Sequence, residues 1–100
     1  MFGLGQSEID EISGVFKKYK NIKRVLIFGS RSKGNYKEGS DIDLAIEGDE
    51  VDFNQILTIL ADIDDLELLH NVDLINYQEK KDTPIGEHIA RVGKVFYIRE

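Results

Sequence analysis

The chain has 100 residues, of which 41% are hydrophobic and 32% charged, so it suits one small folded domain spanning 1–100 and is too apolar for a disordered segment. It has no cysteine, which excludes disulfides and thiolate metal sites and agrees with a reducing compartment, the cytoplasm. With 19 acidic residues against 13 basic ones and a net charge of −6, it lacks the basic balance of a protein that grips a nucleic-acid polymer.

Residues 1–5 carry neither a basic region nor a long apolar segment and predict no signal peptide. Residues 7–20 predict a helix. Ser7 is the expected N-cap, Glu8, Asp10 and Glu11 suit its positive end, and Ile9, Ile12, Phe16 and Tyr19 form one apolar stripe. Residues 24–28 are an interior strand, and their apolar core, residues 25–28, is far too short to cross a membrane. A Gly-Ser turn and a short helical piece follow, then a loop over 35–39. The second strand covers 41–47, ended by Gly48.

A helix over 51–64 is expected to bury Phe53, Ile56, Leu57, Leu60 and Ile63. Asp62, Asp64 and Asp65 at its end oppose its dipole and read as a solvated face. Residues 71–77 predict a third strand, 78–82 a charged loop, and Thr83-Pro84 the N-cap and first residue of a helix through Val92. A last strand spans 94–99. His70 and His88 fall in no metal-ligand spacing and read as packing or surface residues. The element order predicts an α/β fold, a mixed β-sheet flanked by helices.

The chemistry sits around the first two strands. Asp41 and Asp43 are two residues apart on a strand, so they share a face with Cα atoms roughly 6.6 Å apart. Two like charges so placed are tolerable when a cation neutralises them. Mg²⁺ suits the pair, because it takes few carboxylates and completes its shell with water and substrate phosphates. Gly29 has no Cβ to hold a phosphate away from the backbone, and Ser30 offers a hydroxyl and an N–H. Arg31 and Lys33 add positive charge. An anion cradle beside metal-binding carboxylates is what a metal–nucleoside triphosphate requires.

The pattern Gly29-Ser30-x-x-x-Gly34, then Ser40-Asp41-x-Asp43 before apolar residues, resembles the signature of the nucleotidyltransferase superfamily of DNA polymerase beta and kanamycin nucleotidyltransferase. With six residues fixed at roughly one in fifteen each, chance produces it about 10⁻⁵ times in a chain this long, far less often than a lone glycine-rich loop. The small size makes the chain similar to the minimal nucleotidyltransferase (MNT) proteins in particular.

The resemblance implies a polymerase beta-like fold and a third acidic residue on a later strand. Asp73, between Val72 and Leu74, fits that place, although a lone strand carboxylate is ordinarily a surface residue. It implies catalytic and metal-binding roles for Asp41, Asp43 and Asp73, nucleotide binding by Gly29, Ser30, Arg31 and Ser40, and Mg²⁺ with ATP as substrate. It further implies transfer of a nucleotidyl group to a hydroxyl, with the chain acting as the antitoxin that adenylylates a tyrosine of a helical HEPN RNase toxin. Two alternatives stand beside it. One is a non-catalytic antitoxin or adaptor that occludes its partner, and the other is a small-molecule nucleotidyltransferase.

Overall fold

The computed structural model describes residues 1–37 and 39–100, so Glu38, within the loop expected over 35–39, lies outside the described residues. Four strands form one mixed sheet: β1 (Ile22–Phe28), β2 (Ile42–Gly48), β3 (Val72–Asn76) and β4 (Lys94–Ile98). Their order is β3-β2-β1-β4. β1 lies antiparallel to both β2 and β4, and β2 lies parallel to β3. The parallel pair needs a crossover, supplied by helix α3 (Phe53–Asp64).

Side-chain alternation along the strands makes two cores. Val25 and Ile27 of β1, Ile42, Leu44 and Ile46 of β2, and Leu74 of β3 face α3 and the first helix, α1 (Gln6–Lys17). Leu26, Phe28 and Ala45 face the other way, toward Ile89 on α5 (Pro84–Val92), with Ile75 and Tyr77 beside them. Asp43 and Asp73 have the parity of Ala45 and Ile75, and so belong to this second face. Among the described residues no helix is long and apolar enough to cross a membrane.

The elements depart from expectation where local chemistry overrides pattern. α1 is capped by Gly5, not Ser7, whose hydroxyl instead donates to Glu11 one turn on at 3.3 Å. It stops at Lys17, short of residue 20. The guanidinium of Arg99, expected in the last strand, donates to the carbonyls of Lys17, Tyr19 and Ile22 and closes that end. β1 starts at Ile22, a fully buried residue two positions before the predicted start. α3 starts at Phe53 because the Asp52 carboxylate accepts the N–H of Gln55 at 2.8 Å. Its buried stripe is Ile56, Ile59 and Ile63, which leaves Phe53 and Leu57 exposed beside it. The charged loop contains one helical turn, α4 (Tyr77–Lys80), capped by Asn76.

Candidate active site

β1 ends where the chain must turn away from the sheet. Gly29 takes φ +78°, a conformation that L side chains rarely adopt, and a Cβ there would collide with a carboxylate oxygen of Asp43. The missing side chain is therefore what lets the turn lie against the acidic strand. The short helical turn α2 (Ser30–Lys33) follows, ended by Gly34 in the left-handed conformation. Ser30 is half-buried at its start, beside the acidic strand to which β1 is paired.

Phe28 is paired with Asp43 across β1 and β2, and Asp43 with Asp73 across β2 and β3. The turn, the first carboxylate and the second thus lie in one row across three strands. The pairing of β2 with β3 sets the Asp43 and Asp73 side chains next to each other on one face of the sheet. Burial first, then the negative charges of Asp73 and Asp41, push the Asp43 carboxyl above the usual carboxylate range. Asp41 is exposed and lies just before β2, not within it.

The donor set fits a hard divalent cation. It consists of carboxylate oxygens only, the neighbouring negative charges help to raise the Asp43 pKa, and a cation would relieve that repulsion. Among the described residues no three His, Cys, Asp or Glu side chains are already drawn together as a metal cage. Asp43 and Asp73 form the pre-assembled part, and Asp41 contributes charge from outside their contact.

Two of the residues expected around the nucleotide are engaged by the protein. Arg31 is 2% exposed, and its guanidinium donates to the carbonyl oxygens of Ser40 at 2.8 Å and Phe2 at 2.9 Å. It lies under the Tyr36 ring, 5.1 Å from the centroid. Ser40 accepts the Lys37 N–H on its hydroxyl at 2.8 Å, so it closes the turn that leads into Asp41. Together they hold the loop that presents Asp41. Gly29 lies against the Asp43 carboxylate, Ser30 is half-buried next to it in the chain, and Lys33 is exposed.

The sequence offered no sign of one further contact. His70 places Nδ1 2.8 Å from a Glu8 carboxylate oxygen, 62 positions away in the chain. The pair ties α1 to the segment before β3, and His70 lies in the wall of a cleft shared with Asp41 and Asp73.

The family model described as Polymerase beta, Nucleotidyltransferase matches residues 10–100. A protein of Methanocaldococcus jannaschii named "Putative protein adenylyltransferase" is 41% identical over 95 residues, which is 86% of this chain and 90% of that one. Among solved structures, a chain of a toxin-antitoxin crystallised with AMP-PNP superposes with a TM-score of 0.72 at 20% identity, covering 97% of this chain and 76% of that one. A chain of the MntA-HepT toxin-antitoxin superposes at 0.69 with 17% identity, covering 95% and 74%. These two structures share the fold, and the family match with the archaeal relative goes further. The chain belongs to the polymerase beta nucleotidyltransferase family and is a nucleotidyltransferase.

Proposed function

We propose that this chain is a Mg²⁺-dependent adenylyltransferase of the cytoplasm, moving AMP from ATP to a tyrosine hydroxyl on a HEPN-type toxin and so acting as its antitoxin. The observation that supports the reading is the row from the Gly29 turn to Asp43 to Asp73, in which the glycine backbone lies against Asp43 and two carboxylates are cross-strand neighbours. The protein acceptor is supported by the name of the archaeal relative, and the antitoxin role by the likeness of fold to chains of toxin-antitoxin assemblies.

Asp41, Asp43 and Asp73 would hold the metal. When bound, it neutralises triphosphate charge and polarises the oxygens on either side of the reacting phosphorus. The backbone at Gly29 and the Ser30 N–H and hydroxyl receive the β- and γ-phosphates. Arg31 and Ser40 serve the nucleotide indirectly, by fixing the loop before Asp41. Asp73, exposed at the edge strand, accepts the proton of the attacking hydroxyl.

Incubating the protein with a HEPN-type partner, Mg²⁺ and ATP should raise the partner's mass by AMP, and the partner should stay inactive after separation. The double variant Ser30→Ala/Asp41→Asn should still bind the partner and transfer no label. A partner that is unmodified and active once released would refute the enzymatic reading and identify an occluding binder.

A further inference from the structure

α3 carries two apolar stripes, and the sheet covers only one of them. Ile56, Ile59 and Ile63 are buried. Phe53, Leu57 and Leu60 follow one another turn by turn on a neighbouring face, with Asp64 next in line. Phe53 is 70% exposed and Leu57 48%. A phenylalanine so placed adds little to the core and is a weaker helix former than alanine or leucine, so folding alone gives no reason for it.

The stripe lies on the side of α3 away from the first helix. On the near side Gln55 accepts a hydrogen bond from Asn21 at 2.8 Å, and Asp62 meets the Tyr19 hydroxyl and Lys18. On the far side is β3, the edge strand. Two clefts open there. One, of about 180 Å³, has Phe53 and Ile56 on one wall and Leu74 and Ile75 on the other, with Glu79 and Lys80 at its end. The second, of about 550 Å³, has Leu60 and Ile63 from α3 together with Leu68 and Val72. Together they give one side of α3 an apolar groove from its first turn to its last.

Charge decides what fits the groove. From Asp49 to Glu79 the chain carries nine of its 19 acidic residues and no Lys or Arg. They gather at both ends of the stripe. Glu50 and Asp52 precede Phe53, and Asp64, Asp65 and Glu67 follow Leu60, all of them exposed. Asp52 caps α3, and the other four have no side-chain partner among the described residues. Lys80 is the one Lys or Arg in either cleft wall among the described residues.

We propose that the stripe and its groove seat a three-turn amphipathic helix of another protein, apolar along its centre and carrying Lys or Arg at both ends. The length follows from α3, whose 12 residues span about 18 Å. Apolar anchors one turn apart would fill the groove, and the terminal cations would fix the helix along it. A second copy of this chain does not offer such a helix. α1 and α5 each have an acidic first turn, and α3 has no basic residue at either end. An anionic lipid surface is repelled by the same carboxylates. The stripe lies outside the row of Gly29, Asp43 and Asp73, so this inference goes beyond the transfer reading and holds whether or not AMP is moved.

The probe is a synthetic helical peptide with leucines at i, i+3 and i+7 and lysines at both ends. Its controls are a scrambled peptide of the same composition and a glutamate-ended one. In calorimetry the lysine-ended helix should bind the full chain at least ten-fold more tightly than either control. It should shift the NMR signals of Phe53, Leu57 and Leu60. Phe53→Ser/Leu57→Gln should weaken that binding at least ten-fold and leave nucleotide affinity as in wild type. Glu50→Lys/Asp64→Lys should reverse the preference between lysine-ended and glutamate-ended helices.

No binding, equal binding of the scrambled peptide, unchanged affinity in both variants, or shifts mapped to another face would overturn the assignment. So would a wild-type dimer in light scattering that Phe53→Ser/Leu57→Gln converts to a monomer, because the stripe would then seat a second copy.

Discussion

At Gly29 the backbone itself is part of the proposed site. Its φ of +78° and the position of the Asp43 carboxylate both exclude a side chain. Gly29→Ala should cost about 1–3 kcal/mol from a backbone conformation open essentially to glycine alone, and displacing Asp43 should abolish transfer. A thermal melt read beside label transfer checks both, and an active alanine variant of wild-type stability would contradict the geometry. Asp43 gives the second residue-scale prediction. Its pKa is raised, so the folded state binds more protons than the unfolded chain between the ordinary carboxylate range and the higher folded value. Stability of the metal-free protein therefore falls as pH rises through that window. Asp43→Asn removes the charge and keeps a donor for Asp73, so it should melt a few degrees above wild type at neutral pH. Below the usual carboxylate range that charge-derived advantage should be gone. A neutral-pH melt well below wild type would make Asp43 a structural residue.

At the scale of elements, the loop between α2 and β2 is held by a buried guanidinium. Arg31 donates to carbonyls on both sides, from the N-terminal segment and from Ser40. Hydrogen bonds from a charged group of this kind are worth about 1.5–3 kcal/mol each when left unmade. Arg31→Lys puts a compact ammonium where a planar fork spans two acceptors. It should lower stability by about 2 kcal/mol or more in urea melts. It should also raise KM for the nucleotide, because Asp41 loses its support, with the loss partly recovered at high Mg²⁺. A lysine variant of wild-type stability would show that the clamp does not hold the loop.

Nothing in the sequence marked Arg31 as buried. Lying one residue beyond a phosphate-type Gly-Ser turn, it read as a ligand for the anion, and only the packed structure supplies the carbonyls it serves. The strands were easier to read, because their apolar residues alternate between two cores that the sheet separates. α3 was read with its face rotated, since Phe53 and Leu57 look as apolar as Ile59. Only docking on the sheet decides which stripe is covered. The grouping of Asp73 with Asp43 was expected only through the family resemblance, because register between β2 and β3 is set by the crossover through α3, not by either strand. The acidic end of α3 reads as a solvated face, and Asp64 and Asp65 are exposed there.

The whole molecule combines a net charge of −6 with a site whose carboxylates repel one another. Metal and nucleotide should therefore act as folding ligands as well as reactants. Any species that binds only the folded state stabilises it by about 2.7 kcal/mol at a hundred times its Kd. For a domain of this size that corresponds to a rise in Tm of more than about 10 °C. Mg²⁺ with a non-hydrolysable ATP analogue should produce such a rise, and EDTA should reverse it. NaCl at matched ionic strength should produce only the small rise expected from screening dispersed surface charge. Asp43→Asn sharpens the test because its two effects oppose each other. Without metal it relieves repulsion and melts above wild type. With saturating Mg²⁺ and analogue it lacks the ligand that converts repulsion into binding and melts below wild type. The two melting temperatures should therefore cross as Mg²⁺ is titrated in. Parallel titration curves for the two proteins would mean that the cation binds elsewhere on the acidic surface and that Asp43 takes no part in holding it.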